Sequence, residues 1–179
     1  MVTKVIDLQA YRTKTAEHRG FQPWCKRFGE SYGAETRVSD LSDRTLYFLA
    51  RPGEETAMAF YELVMGVLGL GQGPKFYYLP NAEQMMVVDI HLFLADQVRF
   101  EMMHRLGWLV SFCGEEYALL DMVNGSEKIK AECHETPPEL SRGQPDFEAY
   151  EPLTNGDKHA FVRRKLRQAL EAFRANLAP

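Results

Sequence analysis

Across residues 82–108, apolar side chains return every three or four positions, at Val87, Ile90, Leu94, Val98, Met102 and Leu106, with Leu109 just beyond. That period places them on one stripe of an α-helix, whereas a strand would alternate every second residue. Such a helix runs roughly 40 Å at 1.5 Å per residue. Asn81 is suited to cap its start, because a short amide side chain accepts from the free N–H groups of the first turn.

The other periodic segments are helical too. Residues 54–70 open with acids that favour a helix N-terminus, and Gly71 follows the last apolar residue. The segment is apolar nearly all round, which predicts a central, buried helix. Residues 157–176 form an amphipath whose apolar face is Val162, Leu166, Ala169, Leu170, Phe173 and Leu177. Shorter helices are expected over 23–32 (Pro23 in the first turn, Gly33 at the exit), 42–50 (Ser42 as cap, although Thr45 to Leu49 reads equally as a strand), 115–123 and 126–133, with one turn at 146–150. Phe76-Tyr77-Tyr78-Leu79 reads as an extended aromatic stretch ending at Pro80. The sum is a mainly α chain, an irregular helical bundle of about five to seven helices with little or no sheet. Residues 1–20 are expected to be an N-terminal arm, packed through Val5, Ile6, Leu8 and Tyr11, and 21–179 a single helical domain. The opening Val5-Ile6-Asp7-Leu8-Gln9-Ala10-Tyr11-Arg12 resembles short openings of assorted small bacterial proteins. That resemblance spans eight residues, carries no known chemistry and identifies no family.

Charge is unevenly spread. Residues 1–27 hold six Lys/Arg against two Asp/Glu, residues 157–179 again six against two, and the stretch between them nine against twenty-one. Basic ends around an acidic body predict that the ends fold onto that body or onto a second subunit. An acidic body repels phosphates and no nucleic-acid module is present, so a nucleic-acid partner is disfavoured. The longest clean apolar run, 63–70, is far short of the roughly 20 residues of a membrane span. Three widely spaced cysteines, with no C-x-x-C pair, predict free thiols in a reducing cytoplasm.

Five residues carry the candidate site chemistry. Glu101 and His104 form a Glu-x-x-His on the long helix, the spacing with which carboxylate bundles hold metal, although no second copy exists. The plainer expectation is that Glu101 pairs with Arg105 one turn on. Glu62 sits in the most apolar helix, so it must be exposed, protonated or paired, with His91, His104, Arg99 and Arg105 as candidate partners. This nominates Glu62, His91 and Arg105 for ligand binding and Glu101 and His104 for metal, with no catalytic residue and the cofactor unknown. The glycines at 66, 69, 71 and 73 lack the strand–loop–helix setting of a phosphate loop. Seven methionines (58, 65, 85, 86, 102, 103 and 122) predict an adaptable interior or binding surface. The chain is therefore expected to be a non-enzymatic protein acting through protein–protein contact, a homodimer. The alternative is a small-molecule- or metal-binding bundle around Glu62, Glu101 and His104.

Overall fold

The structure, a computed structural model, describes residues 7–177. Val5 and Ile6, expected to help pack an arm, lie outside the described residues. Within them the chain is mainly helical, with nine α-helices, three short 3-10 turns and one two-stranded antiparallel ribbon.

The first helix, α1 (Leu8–Phe28), starts where the Asp7 carboxylate accepts from the N–H groups of Gln9 and Ala10. It ends at Gly29, whose positive φ of 69° reverses the chain, as a glycine does without strain. The segment expected as an arm and the helix expected from Pro23 are thus one continuous helix. Proline is tolerated inside it at the loss of one hydrogen bond, since Pro23 has no N–H to give the Arg19 carbonyl. Leu8 and Tyr11 do not pack on the body. They are 64% and 65% exposed, and every residue from 7 to 14 faces solvent.

From residue 20 onward α1 lies tightly against α3 (Glu54–Leu68). A methyl group on Gly66 would sit 2.4 Å from the Arg19 carbonyl oxygen, and one on Gly20 would meet Val67 at 2.6 Å. Two glycines therefore set the crossing distance. The Arg19 guanidinium locks it by donating through Nε to the Gly66 carbonyl at 3.0 Å. Trp24 is fully buried, donates its indole N–H to the Ala59 carbonyl at 2.7 Å, and meets Phe28, Tyr32 and Phe60 edge to face. As its all-round apolar sequence predicts, α3 is central.

Ser42 caps α2 (Asp43–Ala50), which turns Leu46 and Leu49 into the core. The stretch 76–79 is not extended. Pro74 instead opens a 3-10 turn, Gly73–Tyr78, that stacks Phe76 on Tyr61. The long helix α4 (Asn81–Arg105) follows, with Pro80 rather than Asn81 at the cap position. Its stripe is buried at Val87, Ile90, Leu94, Val98 and Met102, and it packs on α2 and α3. Gly107, in the left-handed region, then turns the chain into β1 (Leu109–Ser111).

The rest wraps around α4. α5 (Leu119–Asn124) and α6 (Ser126–Glu135) lead to β2 (Glu139–Leu140), which pairs with β1 so that Leu109 faces Leu140. After the single turn α7 (Phe147–Tyr150), the expected C-terminal helix is split into α8 (Asn155–Arg164) and α9 (Leu166–Asn176). The break falls at Lys165, whose ammonium is held by the Asp146 carboxylate at 2.7 Å beside the Trp108 ring. Among the described residues no helix is long and apolar enough to cross a membrane.

Candidate functional site

The five nominated residues fall into separate places. At the C-terminal end of α4, Arg105 donates through Nε to Glu101 at 2.8 Å and through Nη1 to Asp43 at 2.7 Å. Its Nη2 reaches the carbonyls of Val38, Ser39 and Leu41. The other Glu101 oxygen lies 3.5 Å from His104 Nδ1. Glu101 is almost wholly buried, so this guanidinium neutralises a carboxylate that would otherwise be very costly to desolvate. Each nitrogen of the Arg105 guanidinium is engaged in tying the start of α2 to the end of α4. Among the described residues no three His, Cys, Asp or Glu side chains gather as a metal requires.

Glu62 is bound by none of the four partners expected on α4. Its Oε1 accepts from Arg27 of α1 at 2.9 Å, because α1 and not α4 lies along that face of α3. Its Oε2 is buried without a hydrogen-bond partner among the described residues, and so is Nδ1 of His91. His91 is wedged between the rings of Phe60 and Tyr61, each 5.3 Å away. Burial, seconded by the Arg99 charge, holds its pKa below the ordinary histidine value. A neutral imidazole on an aromatic wall contributes packing.

The largest concavity lies elsewhere, along the outer side of α4. Its deep end, a cavity of about 900 Å³, is bounded by α4, α6 and α8 and lined by Phe93, Gln97, Phe100, Ala131, His134 and His159. Its outer end, about 720 Å³, runs past Ala82, Met85, Met86 and Asp89 of α4 to Val123 and Asn124 of α5. Phe93, Glu127 and Lys130 line both, so the two hollows adjoin along one side of α4 as the two ends of a trough. From Ala82 to Phe100 it extends roughly 27 Å at the helical rise.

The floor is apolar and the walls carry paired polar groups. Asp96 takes two hydrogen bonds from Arg163, at 2.7 and 3.1 Å, closing the deep end with a neutralised pair. His134 and His159 stack in parallel 5.8 Å apart, and His159 Nε2 lies 3.3 Å from the His134 carbonyl. Burial pushes the His159 pKa down. Gln97, only 3% exposed, brings an amide to the deep wall, where Gly114 makes room: a methyl there would lie 2.0 Å from its Oε1. The Cys133 thiol is also on this wall, near Cys113, and burial raises the pKa of both, keeping them protonated.

Methionine divides sharply between core and trough. Met65, Met102, Met103 and Met122 are buried, whereas Met85 is 68% exposed and Met86 borders it in the outer trough. Leu92, on the deep rim, is also largely exposed. Gln97, His134 and His159 escaped the sequence reading because they come from three helices and share no local spacing. The one available signal was Met85, Leu92 and Asp96, which continue at helical spacing on the side of α4 away from its buried stripe. No family model, curated protein or solved structure matches this chain.

Proposed function

We propose that this protein acts by binding a polypeptide chain in the α4 trough, and that it does so as a cytoplasmic homodimer. The observation that carries the reading is the continuity of the trough. Two cavities that share lining residues make one elongated, apolar-floored channel. A helix laid in a groove, anchored every three or four residues, fits a channel of that shape. Exposed methionines and a leucine on its edges supply adaptable apolar contact. Asp96 and Arg163 neutralise each other at the deep end, and Asp89 and Glu127 are balanced in number by Lys128 and Lys130 at the outer end, so an apolar partner meets little net charge.

The reading is tested by sedimentation of the full chain over a wide concentration range, beside a variant carrying Met85→Asp and Leu92→Asp. Both positions are largely exposed, so the variant keeps its melting temperature. The expected result is a concentration-dependent dimer for the parent and a monomer for the variant. Equal association of the two would remove the trough from the function.

A further inference from the structure

Resting on that reading, we infer that the occupant of the trough is the outer half of α1 from a second copy, exchanged reciprocally. Residues 8–14 are helical yet exposed on every face. A helical segment that touches no core is marginal in water, because nucleation is costly and short helices gain most of their stability from packing. This segment nevertheless carries two large apolar side chains one turn apart, Leu8 and Tyr11, which stay 64% and 65% exposed among the described residues. The trough presents the opposite shape, a concave apolar strip on which Met85 and Leu92 are uncovered.

The two unsatisfied surfaces meet at one end of the molecule. Asn124 borders both the hollow beside Tyr11 and Arg12 and the outer end of the trough. The convex element therefore leaves the body where the concave one opens. A two-fold operation at that end lays each outer half of α1 in the other chain's trough, an isologous contact in which the same pair of surfaces is used twice. The segment from Leu8 to Lys14 is roughly 9 Å long at the helical rise, which covers about half of the outer trough and leaves the deep end free.

Charge agrees. The first 27 residues carry a net positive charge and the body between residues 28 and 156 is strongly acidic. Arg12 and Lys14 on the exposed half of α1 find Asp89 and Glu127 in the trough wall, while Lys128 and Lys130 there find Asp7 and Glu17. Complementary signs of this kind fix register and orientation more than they add affinity.

The experiment uses the full chain with a photo-reactive phenylalanine analogue in place of Met85, mixed with an isotope-labelled copy, irradiated and mapped by mass spectrometry. The expected cross-links run between chains and land on residues 8–19. A variant with Leu8→Asp and Tyr11→Asp dimerises at least about tenfold more weakly than the parent. Mixing it with Met85→Asp restores a dimer, since one seat of the two survives in the mixed pair. If the Leu8/Tyr11 variant dimerises like the parent, or the cross-links map to another trough or to a foreign chain, the exchanged helix is wrong while the trough remains a docking site. A parent chain that stays monomeric at every concentration, with no cross-link, overturns both.

Discussion

The two halves of α1 belong to one helix and obey opposite rules. From Gly20 to Phe28 one face is fixed by packing: Gly20 and Gly66 set the distance to α3, and Trp24 fills the space below with its indole N–H already bonded. From Leu8 to Lys14 every residue is exposed, the large apolar Leu8 and Tyr11 included. A helix boundary is therefore not a boundary of role. Burial divides the element into a part that stabilises the fold and a part available for recognition.

The contrast is broken most severely at its anchored end. Trp24→Ala should cost about 3–5 kcal/mol, the range for deleting a buried aromatic side chain, read as a shift in the midpoint of chemical denaturation. Gly66→Ala comes next. The added methyl meets backbone, which cannot step aside as a side chain would, so the helices must separate at a cost of about 1–3 kcal/mol. Gly143→Ala, with nothing within 4 Å of the new methyl, serves as its control and leaves the midpoint in place.

Acid probes the floor under the anchored half, because His91 rests on Phe60, which in turn packs on Trp24. The unfolded chain takes up its proton near the ordinary histidine pKa of 6.5, whereas folded His91 resists until a lower pH. Stability is thus complete above that value and is lost progressively as the pH falls through it. His159 has the same sign. Melting temperatures recorded from pH 8 to pH 5 should fall on the acid side, and His91→Phe should flatten part of that slope while leaving the remainder that belongs to His159.

The smallest effect sharpens the comparison from the other end. Tyr11→Ser should move the denaturation midpoint by less than about 0.5 kcal/mol, since the ring is exposed. Hydrogen exchange gives the same contrast amide by amide: slow over 20–28, fast over 8–14 in dilute protein, and slowed in the outer segment as concentration rises. Uniform protection along α1 at every concentration would erase the difference.

How much of this could be read from the sequence varied with the range of the interaction. The stripe of α4, the all-round burial of α3 and the Ser42 cap are repeats or caps within one segment, and they hold. What failed depends on the neighbours of a segment. Pro23 looked like a helix start, but a crossing that needs Gly20 and Gly66 at close range carries the helix through it. The C-terminal amphipath was continuous on paper, yet Asp146 draws Lys165 out of line. Glu62 finds Arg27 because of which helix lies beside it, a fact with no local signature. The trough is assembled from α4, α5, α6 and α8, so its parts lay scattered over some eighty residues. Met85 is chemically the same as the buried Met65, and only the fold distinguishes them.

The missing amide proton of Pro23 has a mechanical consequence. Fraying from a helix start normally runs inward one rung at a time. Here the rung that would join residue 23 to the Arg19 carbonyl does not exist, and that gap falls at the junction between the wetted turns and the anchored ones. Melting or tilting of the outer turns therefore stops at a built-in fault line instead of propagating toward Trp24. The front of α1 can therefore loosen without loosening the floor of the bundle.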